Sequence, residues 1–246
     1  MKEWFGNEDF WIDMYDFLFP VSVYKKAEEE VKDILALTAF NGNEILDLCC
    51  GPGRHAIKLA EEGYNVTAVD KSPYLLNIAK DRCKKDNVNV RFIEEDMRKF
   101  SRPGKFDLVI NLFTSFGYFE HQEDDEAVLK NIFESLIPGG KVVMELMGKE
   151  ILARIFQKTI STQLENSSVL IQRHKIMNDW SKNLNEWILL KENTYKKYSF
   201  SHRIYSAVEL KSLYRAAGFN KIKVYGSLKG TVYDEEADRL VIVAEK

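Results

Sequence analysis

Phe10, Trp11, Met14, Tyr15, Leu18 and Phe19 recur at helical spacing, and Pro20 ends that run. A second amphipathic stretch after Ser22 puts Ala27, Val31, Ile34, Leu35 and Thr38 on one side, with Glu28, Glu29 and Glu30 on a solvated face. From Glu44 the period changes to short apolar runs alternating with helical patterns. Strands are expected at 45–48, 66–69, 88–93, 106–110 and 142–146, the last after a turn at Pro138-Gly139-Gly140. Helices are expected around 56–60, from Ser72-Pro73, where a hydroxyl caps and proline opens the first turn, and over 128–136. Nearly continuous apolar strands alternating with helices predict a parallel sheet covered on both faces, and right-handed crossovers make it doubly wound.

The alternation breaks between Ile151 and Arg203. Runs at 169–177, 187–191 and 195–204 read as a three-stranded meander, with turns at Asn178-Asp179 and 181–183. Within 166–203 there are seven Lys or Arg against three Asp or Glu, so this segment is mildly basic. A helix over 208–217 stops at Gly218, and strands at 221–225 and 239–244 close the chain as an antiparallel pair. The predicted architecture is a doubly wound, Rossmann-like α/β fold: a seven-stranded, mostly parallel sheet with an antiparallel last strand. Residues 1–40 form a helical cover, 41–150 and 204–246 the core, and 151–203 an inserted antiparallel β lobe carrying substrate specificity.

Composition narrows the class. Of 246 residues, 45% are hydrophobic and 30% charged, which excludes wholesale disorder. No apolar run reaches the ~20 residues of a membrane span, and Met1–Asp9 lacks the order of a secretory signal. Three cysteines, Cys49 and Cys50 adjacent, make neither a disulfide framework nor a metal knuckle, which points to a reducing cytoplasm. A net charge of −3 argues against bulk electrostatic binding of nucleic acid.

The densest chemical signal is Ile45-Leu46-Asp47-Leu48-Cys49-Cys50-Gly51-Pro52-Gly53-Arg54-His55. A glycine turn between strand and helix brings backbone N–H groups close to a ligand. Asp70, 19 residues after Gly51 at the end of the second strand, can take both ribose hydroxyls of an adenosine-type ligand. Gly51-x-Gly53-x-x-Ala56 also satisfies the dinucleotide fingerprint. Asp47 favours the other class: a fixed carboxylate repels a pyrophosphate and attracts the ammonium and sulfonium of S-adenosylmethionine. Asp96, after the third strand, suits an adenine amino group.

At these residues the sequence resembles the class I S-adenosylmethionine-dependent methyltransferases, matching their acid-x-Gly-x-Gly-x-Gly turn as Asp47-x-Cys49-x-Gly51-x-Gly53 with Cys49 in place of the first glycine. The resemblance implies ribose binding by Asp70, with Lys71 beside it, and adenine binding near Asp96 and Met97. It implies that the segment Asn111–Tyr118, with Asn111 and Phe113, lines the cofactor. Glu95–Phe100, Asn111–Tyr118 and the Tyr15-Asp16 pair look like the small-molecule branch that includes aminosugar N,N-dimethyltransferases, which adds Tyr15 to the cofactor side.

In-line displacement from a sulfonium needs positioning and exclusion of water rather than a metal or a covalent intermediate. Trp11, Tyr15, Phe113, Phe116 and Tyr118 are candidates for an aromatic reaction chamber, with Trp11, Phe116 and Tyr118 on the substrate side, against the alternative that such rings only pack the core. Tyr118 and His174 are the candidate catalytic residues, His174 as a general base; the other histidines show neither metal-ligand spacing nor a paired nucleophile. Arg203 and Tyr205 are candidates to reach an anionic substrate group, or else anchor a strand. The expected protein is a cytoplasmic enzyme, monomer or homodimer, moving a methyl group from S-adenosylmethionine to a nitrogen or oxygen of a small molecule and releasing S-adenosylhomocysteine. The alternatives are a methyltransferase of RNA or protein, an NAD-dependent dehydrogenase, and a non-catalytic binding module.

Overall fold

The computed structural model describes residues 3–164 and 166–246. Helix α1 (Glu8–Leu18) starts where the Asn7 side chain accepts from the Asp9 N–H, and it buries Phe10 and Met14. Pro20 caps α2 (Val21–Thr38). The alternating part runs β1 (Glu44–Leu48), α3 (Arg54–Glu61), β2 (Asn65–Asp70), α4 (Pro73–Asp86), β3 (Arg91–Glu94), β4 (Phe106–Asn111), α5 (Gln122–Ser135) and β5 (Leu136–Leu146). Ser72 caps α4 by accepting from the Leu75 N–H, with Pro73 in the first turn.

After α6 (Lys149–Ile155), which the hydrophobic pattern did not mark, come β6 (Thr159–Gln163), β7 (Val169–Met177), β8 (Lys182–Lys191) and β9 (Thr194–Arg203). The chain ends with α7 (Ala207–Ala216), β10 (Lys221–Tyr225) and β11 (Leu240–Glu245). The main sheet has the order β10-β11-β5-β4-β1-β2-β3; β11 runs antiparallel to both β10 and β5, and the other pairs are parallel. The strand order reverses between β1 and β4, so their carboxyl ends splay apart there and open a crevice.

Three elements differ from the sequence expectation. Strand β3 starts at Arg91 rather than Val88, because the Val88 N–H closes α4 by donating to the Cys83 carbonyl behind a left-handed Asn87. Pro138-Gly139-Gly140 is not a turn before β5 but an irregularity within it: pairing jumps from Phe106–Leu136 to Leu108–Lys141, and the glycines bond to Lys246. The meander has four strands, not three. Thr159–Gln163 is exposed with little apolar alternation, and β8 begins at Lys182 because three left-handed residues, Asn178, Asp179 and Trp180, already turn the chain.

The main sheet separates two cores, one against α5 and α7 around Leu46, Val109 and Met144, the other against α2 and α3 around Ile45, Leu108 and Val143. A third, smaller core joins Phe10 and Met14 of α1 to Leu170, Leu189 and Phe200 of the second sheet. Lys191, Lys196 and Tyr198 fasten the same helix by converging on the buried Asp13 carboxylate. The N-terminal helix thus packs with the β6–β9 sheet as one cover. Among the described residues no helix is long and apolar enough to cross a membrane.

Candidate active site

The loops after β1, β2, β3 and β4 all leave the main sheet at its carboxyl edge and surround a cavity of about 310 Å³. Its floor is the glycine turn. Cys49, Gly51 and Gly53 have φ of 64°, 54° and 76°, so all three positions of the alternating pattern are left-handed. Glycine adopts that region freely; at Cys49 it costs about 1–2 kcal/mol. The Cys49 thiol meets the Met97 sulfur at 3.3 Å on the cavity wall. At Gly53 a Cβ would sit 2.9 Å from the Cβ of Ala79, so this glycine serves the contact between α3 and α4 rather than the cavity.

The electrostatics are mainly acidic. Asp70 accepts from the Gly51 N–H (2.8 Å) and the Ser72 N–H (2.9 Å); burial raises its pKa, and the backbone donors offset this only in part. Asp47 is buried beneath the turn with Oδ2 unpartnered. Burial pushes it up to about 7, against the pull of Arg54 and with repulsion from Asp70. Asp96 is the reverse case. Burial would raise it, but bonds from Arg98 (2.6 and 3.0 Å) and Lys71 (2.8 Å) outweigh burial and hold it well below the usual carboxylate range.

Asp47 has a consequence for stability. Unfolded, its carboxyl ionises near 3.9; folded, near 7, so between those values the folded state holds more protons and stability falls as pH rises. Asp47→Asn is expected to raise the melting temperature of the ligand-free protein relative to wild type by an amount that grows from pH 5 to pH 8. A gap independent of pH in thermal melts would contradict this assignment.

The walls are aromatic. Phe113 and Thr114 are both left-handed (φ 60° and 56°), held by bonds from their N–H groups to the Glu145 side chain and backbone carbonyl. Consecutive strained residues of this kind persist where surrounding structure over-determines them, commonly at functional sites. The Arg54 guanidinium lies 5.2 Å from the Phe113 ring centre and is paired with Glu30. Tyr118 faces Trp4 (5.0 Å between ring centres), and burial pushes its hydroxyl up to about 12.

Of the residues expected from sequence, Trp11, Asp47, Cys49, Gly51, Asp70, Lys71, Asp96, Met97, Phe113 and Tyr118 border this cavity. Seven do not. Tyr15 bonds its hydroxyl to that of Tyr24 at 2.6 Å, and Gly53 is committed to helix packing. Asn111 is fully buried and donates to the Leu48 carbonyl, tying β4 to β1 below the crevice. Phe116 packs on Tyr205 in the core. Arg203 and Tyr205 both bond to the buried Asp125 at 2.6 Å, anchoring the end of β9 to α5. His174 sits back on β7, bonded to Asn185.

Sequence reasoning passed over Arg54, Trp4, Phe5, Trp187, Phe200 and Arg239, which also border the cavity. Arg54 was accessible in principle, because the first residue of a helix that opens on a glycine turn faces the turn's ligand. The aromatic residues of the cover and Arg239 carry no local signal.

Residues 45–140 match the family of methyltransferase domains. Among curated proteins, the glycine/sarcosine N-methyltransferase of Halorhodospira halochloris is 27% identical, with 97% of this chain and 88% of that protein covered. Among solved structures, an S-adenosylmethionine-dependent methyltransferase from Clostridium acetobutylicum ATCC 824 has a TM-score of 0.80 at 17% identity, covering 97% of this chain and 98% of the other. The amino pentose methyltransferase CalS10 from Micromonospora echinaspora has a TM-score of 0.67 at 21% identity, covering 90% of each chain.

Proposed function

We propose, from the premise that the chain is a class I S-adenosylmethionine-dependent methyltransferase, that its acceptor is a small-molecule amine. The carrying observation is enclosure. The crevice at the switch point is closed over by Trp4 and Trp11 from the N-terminal segment and by Trp187 and Phe200 from the second sheet. A roofed cavity of about 310 Å³ suits a cofactor and a compact acceptor and leaves little access for a polymer. The glycine/sarcosine enzyme and the amino pentose enzyme are named for small amines, which supports nitrogen as the accepting atom.

The residues present fit the cofactor. The unpartnered Asp47 oxygen beneath the turn calls for a donor carrying positive charge, which the methionine ammonium supplies. Arg54 is placed for the carboxylate of the same group, Asp70 for the ribose hydroxyls, and Met97 beside Asp96 for the adenine. When bound, S-adenosylmethionine supplies a methyl group on a sulfonium, ready for direct attack. The chain's own part is to orient the acceptor, exclude water behind the aromatic roof and offer the Tyr118 hydroxyl to the acceptor.

The test is transfer from methyl-labelled S-adenosylmethionine in a cell extract separated into low-molecular-mass, RNA and protein fractions. Label is expected in amines of the low-molecular-mass fraction. Label confined to RNA or protein would overturn the proposal.

A further inference from the structure

One face of the second sheet is divided. Side chains alternate across each strand, and the pairing aligns Gln172, Trp187 and Tyr198, then His174, Asn185 and Phe200, then Asn183 and His202, along the same face. Trp187 and Phe200 on this face border the cavity, and Leu170 and Leu189 on it pack against Phe10 and Met14. Between Phe200 and the Ile176 end, the face carries a polar cluster of His174, Asn183, Asn185 and His202. Asn183 and Asn185 are only 3% and 4% exposed, yet no secondary-structure requirement calls for amides there.

These polar groups are ordered with respect to one another. Asn185 Oδ1 accepts from His174 Nδ1 (2.9 Å) and from Asn183 Nδ2 (3.2 Å), and Asn185 Nδ2 donates to His202 Nδ1 (3.2 Å). With Nδ1 accepting, the His202 proton resides on Nε2. The His202 ring lies 5.2 Å from that of Tyr118, directly behind this cavity-lining residue. Asn183 Oδ1 is buried with no partner. Burial, reinforced by His174, drives the His202 pKa down to about 4, so the ring is uncharged near neutral pH. A buried, pre-oriented and incompletely satisfied polar patch beside the reaction chamber is the pattern of a recognition site rather than of a core.

We propose that His202, held by Asn185, which Asn183 in turn supports, forms with Tyr118 an acceptor subsite that binds an uncharged hydroxyl or carbonyl group carried near the accepting nitrogen. This rests on the amine reading above. His202 and Tyr118 offer neutral donors, so a group that can accept a hydrogen bond is retained, and an analogue lacking it leaves the buried donors unpaired. Asn185 acts through His202 as a positioning residue.

The experiment compares trans-2-aminocyclohexanol with cyclohexylamine as acceptors for the full-length enzyme, reading release of S-adenosylhomocysteine. The hydroxylated amine is expected to have a kcat/KM at least about tenfold higher, carried mainly by KM. In His202→Leu that ratio should fall to within about twofold. Equal kcat/KM for the two amines in wild type, or an unchanged ratio in His202→Leu, would overturn the subsite.

A second measurement does not depend on turnover. Imidazole nitrogen spectra of the protein with S-adenosylhomocysteine should show His202 as the Nε2–H tautomer, with resonances that move when trans-2-aminocyclohexanol is added. Resonances that stay put would overturn the subsite. Resonances that move without any methylation would support it while counting against the amine reading.

Discussion

Asp70→Ala is expected to weaken binding of S-adenosylhomocysteine by more than tenfold. In the structure the Asp70 carboxylate already braces the glycine turn through the Gly51 and Ser72 N–H groups and borders the cavity. Each carboxylate oxygen keeps acceptor capacity for a ribose hydroxyl. Losing two charge-assisted hydrogen bonds, at about 1.5–3 kcal/mol each, exceeds the 1.4 kcal/mol that corresponds to a tenfold change. Asp70→Asn should fall between alanine and wild type, because the amide preserves shape but not charge. Titration calorimetry on the three proteins decides the matter, and equal affinities would remove Asp70 from the cofactor site.

Phe10→Ala should be the most destabilising single change in the cover. Phe10 is 1% exposed and touches the aromatic rings of Trp4, Trp11, Trp187, Tyr198 and Phe200. Removing a buried phenyl ring costs about 3–5 kcal/mol. Among the described residues the third core has five buried apolar members, so the loss is concentrated there and not spread over the main sheet. Amide exchange is expected to accelerate across 169–203 while β1, β2 and β4 keep their protection. Affinity for S-adenosylhomocysteine should drop as the roof loosens. Uniform acceleration over both sheets would show that the cover and the core unfold as one unit.

The alternating half of the fold was legible because the side-chain period reports which face of an element is buried. Nearly continuous apolar runs such as 106–110 read as strands covered on both faces, and Ser72-Pro73 reads as a helix start. Legibility failed where pattern and pairing part company. Thr159–Gln163 is a strand because Val169–Gln163 and the four following pairs bond it to β7, not because its own residues alternate. Arg203 and Tyr205 appear free in sequence, yet the buried Asp125, some eighty residues earlier, claims both.

The cavity divides along the same line. By itself the sequence determined the half proposed for the cofactor: the glycine turn, Asp47, Asp70, Asp96 and Met97 follow at fixed intervals from strands whose parallel order carries their ends to one edge. The half proposed for the acceptor was decided only in three dimensions. Trp4, Trp187 and Phe200 come from the N-terminal segment and two strands of a separate sheet, brought over the crevice by apolar burial around Phe10 and Met14, with His202 behind Tyr118. Burial is non-directional and records no spacing in the chain, whereas a βα turn writes its geometry into a few consecutive residues.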